Sequence, residues 1–420
     1  MTKILKRLGF AAAAVLVAGP AMAQDVGTVT VFHRWADEAT RVAHFDPAFA
    51  VCQSTLPGLD LKMSFVPSDQ YEVQLPIQLS SSTPPDVYGL WPGGRAVFQA
   101  QAGNILDLTE VWNDTIGANF SAGMTQSVTE TDGKIYVVPF NTIPNGFLYS
   151  KAAFKKAGID QPPATWEEFT AGLKKLRDSG VTPLALGSKG GWEPMFWFDY
   201  LVLRIAGSEF RERLMWGKES YLDPKVIRAM ELWKGMLDAG DFQLMLSGSW
   251  QDMTTAIITG DAAMELMGPW AMGAFQSADM KPDVDFGFFP FPSIEPAVAT
   301  ATEGAFEGWA ASGRGKNTAG AVKLLECLAS QASQTAYAKD NTNLAANQSV
   351  PVEVYSEDLR PILARMAELN KSPFHQNMEL ATLPPVTEVA KRELARFLAY
   401  PDTYMDALNA IEQRAKEVFK

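Results

Sequence analysis

The sequence predicts a two-lobed α/β protein, and three observations carry that expectation. At 420 residues the chain exceeds what one hydrophobic core usually supports. Its first third alternates strand-like and helix-like segments at the spacing of a βαβ unit. No short-period repeat or low-complexity linker divides it. If there are two lobes, the chain can pass between them several times.

The first 23 residues are read as a leader rather than fold. Lys3, Lys6 and Arg7 precede the apolar run Leu8 to Val17, and Ala21-Met22-Ala23 gives the A-x-A pattern of signal cleavage. The run is too short to span a bilayer. No cysteine lies near the cut, so no lipid anchor is expected. The reading is an exported periplasmic protein starting at or near Gln24. Without the leader, 33 Lys+Arg face 48 Asp+Glu, a net charge of −15. Such acidity argues against nucleic acid as a partner.

The mature chain opens with "VGTVTVFHRW", where Thr28 to Phe32 suits a strand. Residues 37 to 53 read as a helix, "PGLDLKMSFV" as a second strand and "TPPDVYGL" as a third. This order predicts a parallel sheet whose ligands lie beyond the strands' carboxyl ends. Two later helices are well marked. Thr165 and Glu168 form a capping box ahead of a stripe of Trp166, Phe169, Leu173 and Leu176. Asp223 caps the second, Pro224 starts it, and Ile227, Met230, Trp233 and Leu237 are its expected core face. Trp166 and Trp233 are therefore read as structural. Cys52 and Cys327 are far apart in sequence, and a disulfide and two buried thiols remain equally open. No C-x-x-C or H-x-x-x-H spacing occurs, so neither a metal nor a cofactor is expected.

Longer motifs add a resemblance. "DGKIYVVPFNTIPNGFLYSKAAFKKAGIDQPPATWEEF" (132–169), "TPLALG", the segment 260–270, "FGFFPFP" and "EGWAASGRGKN" stand in a familiar order. Together they resemble the bacterial extracellular solute-binding proteins (family 1) of carbohydrate ABC importers, across essentially the whole mature chain. Ser150 replaces the usual asparagine after Tyr149. The resemblance implies a periplasmic-binding-protein-like fold with three hinge crossovers, near Tyr136–Val138, Phe286–Phe291 and Asn343–Val352. Lobe one is then 24–137 plus 291–345, and lobe two 138–290 plus 346–420. It also implies a monomer that closes around a sugar and delivers it to membrane permease subunits.

A sugar presents apolar C–H faces and a ring of hydroxyls, so its site needs flat aromatics and planar polar groups. Trp91 lies between a strand and a Gly-Gly turn. Asn141 and Asn145 lie in "PFNTIPNG", and Trp192 in a Gly-Gly-Trp-Glu-Pro turn. The resemblance adds Trp35 and Glu38 after the first strand, Trp250 in a helix's first turn, and Trp270 after Gly268-Pro269. It also adds Glu307 before Gly308-Trp309, and His375. His33 and Arg34 are weaker candidates near the first strand end. Asp86 is read as structural. Gly93-Gly94 lacks the G-x-x-x-x-G-K-[ST] pattern of a phosphate cradle. Two rival readings stand beside a sugar receptor. One is a binder of another or an anionic solute, which inward-facing Arg34 or Arg95 would favour. The other is an exported carbohydrate-active enzyme, which needs two carboxylates flanking one bond, with Glu38 and Glu307 the imaginable pair. No catalytic motif supports the enzyme, and none is expected.

Overall fold

The computed structural model describes residues 25–34 and 41–420. The leader and the expected site residues Trp35 and Glu38 lie outside the described residues. The strands are β1 (Gly27–His33), β2 (Leu59–Phe65), β3 (Val87–Leu90), β4 (Val138–Pro144), β5 (Gly146–Ser150) and β6 (Thr182–Gly187). They continue with β7 (Phe242–Met245), β8 (Ala262–Met267), β9 (Phe286–Phe289), β10 (Thr302–Ala311), β11 (Leu344–Ala345) and β12 (Phe374–Gln376).

These strands form two sheets. One runs β11-β4-β10-β3-β1-β2, with β12 paired to β10; the other runs β7-β6-β8-β5-β9. β1 pairs in parallel with β2 and β3, as the opening βαβ reading requires. β10 returns antiparallel between β3 and β4. Every residue of β3, β4, β5 and β10 is buried. Such unbroken burial belongs to central strands covered on both faces.

Sheet membership corrects two expected boundaries. β4 lies wholly in the seven-stranded sheet and β5 in the other, so the chain first changes sheets at Asn145 rather than at 137/138. The reason is pairing: Val138 to Pro144 bond along β10 before the chain leaves. The segment after residue 345 is also not confined to lobe two, because Thr302 to Gly304 of β10 pair with Phe374 to Gln376. The second change of sheet falls between Phe289 and Thr302.

Each sheet carries its own core. The seven-stranded lobe buries Val29, Val31, Phe45, Phe140 and Trp309 against its helices. The five-stranded lobe buries Phe147, Trp197, Trp233 and Phe291. The Trp166–Asp178 helix begins with the expected capping box and buries Phe169, Leu173 and Leu176. In the Pro224–Asp238 helix the buried stripe is Val226, Ala229, Met230, Trp233 and Met236. Ile227 and Leu237, expected in that stripe, are only partly buried beside it. Their neighbours at i−1 turn more directly toward the core. Cys52 and Cys327 are joined as a disulfide with 5.7 Å between their Cα atoms. It ties the Asp46–Thr55 helix to the Thr318–Ala329 helix in the seven-stranded lobe.

Candidate binding site

The site draws on the ends of β1 and β8 and on the middles of β4 and β10. β8 ends at Met267, and Pro269–Ala271 form one 3₁₀ turn that carries Trp270. Its ring folds back over Gly268, where a Cβ would collide with the indole. That close approach requires glycine. Trp270 is half-buried and packs against two apolar clusters at once. One is the core of the five-stranded lobe. The other holds Tyr71, Trp91, Ile143 and Ala305 of the seven-stranded side. Trp270 thus sits on the seam between lobes.

Trp192 precedes the Glu193–Ala206 helix and meets Trp270 edge to face, with ring centroids 6.1 Å apart and planes at 69°. This is a favoured aromatic geometry. Trp250 opens the Trp250–Thr259 helix and is half-buried against the same core.

The seven-stranded side adds polar groups. Arg34 follows β1, and its guanidinium lies 2.7 Å from the Glu307 carboxylate and 4.8 Å above the Trp91 ring. Arg95 also approaches that ring, at 5.2 Å. Asn141 and Glu307 are register partners on β4 and β10. The Asn141 amide donates to Glu307 at 3.2 Å and to the Tyr337 hydroxyl at 2.8 Å, and the Glu307 backbone N–H donates back at 3.3 Å. Burial pushes the Glu307 carboxyl up, and Arg34 and Asn141 offset part of this. Trp91 is buried, with two guanidinium groups on its ring.

Three expected positions have partners within the protein. Asn145 sits at the sheet exchange, where its side-chain amide donates to Glu303 at 2.8 Å and its backbone carbonyl accepts from the Tyr200 hydroxyl. His375 is buried on β12, with Nδ1 2.6 Å from a Glu212 carboxylate oxygen. It lines a groove of about 1270 Å³ together with Thr142 and Phe306. Side chains alternate along a strand. Ile143 and Ala305 face the tryptophan side, and Thr142 and Phe306 the other; His375 is the register partner of Glu303, two residues before Ala305. His33 is also core: it is buried among Phe45, Tyr71 and Trp309, and burial, then Arg34, holds its imidazole well below the ordinary range. Asp86 accepts from the Thr30 N–H and hydroxyl and the Asn317 N–H, a structural bracket.

Glu193 is a residue the sequence reading passed over. It is buried beside Trp192, and one carboxylate oxygen accepts from Gly190 at 3.3 Å. The other has no partner among the described residues. Burial pushes this carboxyl up to about 7, against the pull of its own and the Gly190 N–H groups. An acid in a helix's first turn usually reads as dipole chemistry. The local pattern therefore held no signal of the free oxygen.

Residues 36–335 match the model of the bacterial extracellular solute-binding proteins. The chain belongs to that family. This solute-binding protein is 28% identical over 280 residues to an ABC transporter extracellular-binding protein of Pyrococcus horikoshii. That match covers 65% of this chain and 63% of the relative's length. It is 30% identical over 210 residues to a probable sugar-binding periplasmic protein of Mesorhizobium japonicum, 47% of this chain and 48% of that one. The crystal structure of the bacterial solute receptor AcbH, described as having a substrate preference for β-D-galactopyranose, superposes with a TM-score of 0.78. It is 26% identical, over 94% of this solute-binding protein and 100% of that chain. No helix among the described residues is long and apolar enough to cross a membrane.

Proposed function

We propose that this solute-binding protein is the periplasmic sugar receptor of an ABC importer. It binds a neutral mono- or oligosaccharide between its lobes and delivers it, closed, to the permease subunits. The observation that carries this reading is the pairing of two unlike walls. Trp192 and Trp270 supply flat apolar surface, and the Arg34–Glu307–Asn141 network opposes them with fixed hydrogen-bonding directions. A pyranose has both kinds of surface. Trp35, Glu38, Trp91, Trp250 and Glu193 complete the proposed contacts. Asn145 acts in this reading at the hinge.

Charge pairing favours a neutral solute over an anionic one. Arg34 is engaged by Glu307, and Arg95 by Glu72 and Glu379 at 2.9 Å each. An anion would have to displace these carboxylates. The same pairing speaks against catalysis, because Glu307 is held by Arg34 and Asn141 as a fixed acceptor rather than a mobile acid. We further infer cleavage of the leader after Ala23, no lipid anchor, a monomer, and a two-state hinge that sugar shifts toward closure.

The test is calorimetry of the purified mature protein against a panel of mono- and disaccharides that includes D-galactose. Saturable binding of at least one supports the reading. Binding of none, with hydrolysis of an aryl glycoside, overturns it.

A further inference from the structure

Four charged side chains meet across the seam beside Trp91. Glu72, on the Ser68–Ser80 helix, and Arg95, on the Gly94–Gln101 helix, come from the seven-stranded side. Glu379 and Lys391 come from the Met378–Ala381 and Pro384–Ala399 helices. The latter helix buries Val386, Ala390, Leu394 and Phe397 in the five-stranded lobe's core. Arg95 lies 2.9 Å from both Glu72 and Glu379. Lys391 lies 3.5 Å from Glu72 and 3.2 Å from Glu379, with Glu388 of its own helix at 3.3 Å. Each cation touches both anions, so the four groups close a ring of alternating charge.

The ring is partly sheltered. The Arg95, Glu379 and Lys391 side chains are 14%, 10% and 15% exposed, against 38% for Glu72. Burial works against charge on Glu72, but Arg95 and Lys391 outweigh it and hold its carboxyl below the ordinary value. Burial likewise opposes charge on Lys391, and Glu379 and Glu72 outweigh it. The backbones are close here too. A Cβ on Gly94 would collide with the Thr382 carbonyl, and one on Gly93 with that of Leu380. Gly93-Gly94 is thus a seam contact, consistent with its lack of a phosphate motif.

We propose that Glu72, Arg95, Glu379 and Lys391 form an electrostatic latch that favours lobe closure before any solute binds. The proposal rests on the closing hinge inferred above, though not on which solute is carried. When the lobes part, Lys391 leaves Glu72 and Glu379 leaves Arg95, so the ring exists only in the closed form. Closure therefore has a part that salt screens, even for an uncharged ligand. Arg95 also carries the latch to the site, because its guanidinium lies on the Trp91 ring.

The test is small-angle X-ray scattering of the ligand-free mature protein in about 20 mM and about 1 M NaCl, where the screening length falls to about 3 Å. The radius of gyration of the wild type is expected to rise with salt. Lys391→Met is expected to start at a larger value and show a clearly smaller salt response, carried by the remaining Arg95–Glu379 pair, its closed-to-open ratio lowered roughly fivefold or more. Glu72→Gln, at the exposed corner, is expected to shift in the same direction and serves if Lys391→Met does not fold. Lys174→Met, which removes a pair inside one helix, is expected to behave as wild type. An unchanged radius in high salt, or a salt response undiminished in both latch variants, overturns the proposal. No sugar is needed, so a failed saccharide panel leaves this result readable.

Discussion

The two lobes meet at one seam and equip it differently. The seven-stranded lobe offers groups with direction: Arg34, Glu307 and Asn141, the last two on neighbouring central strands. The five-stranded lobe offers surface: Trp192, Trp250 and Trp270, each at a helix start or a tight turn. The difference follows from what each group needs. Hydrogen bonds weaken steeply with angle, so their donors and acceptors belong on rigid elements. A stacking face tolerates more freedom. In the proposed reading, a solute touching one lobe alone would satisfy half of its chemistry, which would couple binding to closure. The lobes differ in covalent support as well, since the described disulfide lies in the seven-stranded lobe.

That staple gives the largest expected effect. The Cys52–Cys327 bond closes a loop with a sequence separation of 275 residues. Its loss, by the paired Cys52→Ser and Cys327→Ser substitutions, should destabilise the protein by about 2–5 kcal/mol. Urea unfolding with and without reductant measures it. Identical curves for the variant and the oxidised wild type would erase this asymmetry between lobes.

The next effect belongs to the aromatic lobe. The Glu193 carboxyl, near 4.5 when exposed, stands at about 7 in the folded protein. A raised value means that the folded state holds its proton more tightly than the unfolded one. The associated stability is fully present below about pH 4.5 and is lost as pH rises through about 7, up to about 3 kcal/mol. Glu193→Gln should remove this part of the slope. Glu130 and Glu265, both pushed up to about 8, slope the same way, so the difference between variant and wild type is the quantity to read. Equal slopes would show that Glu193 does not titrate as a buried acid.

Trp270→Ala tests the surface side of the comparison directly. Loss of stacking and burial should weaken sugar binding by about 1–3 kcal/mol, read by calorimetry with a saccharide that binds the wild type. Affinity close to wild type would break the assignment of the aromatic wall.

These residues were not equally legible in sequence. Trp270 could be placed because "MELMGPW" marks a strand, a break and an aromatic in one stretch of chain. Thr165 and Asp223 announced their helices by local capping chemistry that tertiary contacts did not override. The Arg34–Glu307 pair was not legible, since it joins the end of β1 to the middle of β10, which only the sheet order brings together. The surroundings of His375 were hidden for the same reason. A short strand pairs its segment along β10 and sets the imidazole against Glu212. The first sheet exchange was set too early because an apolar run cannot say which sheet it pairs with. Local signals survived; those created by the meeting of distant strands did not exist before folding.

The smallest effect separates folding from binding within the aromatic wall. The Ser249 hydroxyl accepts the Asp252 N–H as the cap of the Trp250–Thr259 helix. Ser249→Ala should cost about 1 kcal/mol of stability, read in thermal unfolding. Trp250 itself packs against the five-stranded lobe's core. The packed indole should therefore stay in place when the cap is removed, and sugar affinity should fall far less than in Trp270→Ala. If affinity falls as far as stability predicts for a frayed helix, Trp250 depends on its cap and the aromatic wall is softer than its packing implies. If stability falls and affinity holds, the wall is set by side-chain packing. The tolerance for backbone freedom that distinguishes it from the hydrogen-bonding wall then has a direct measure.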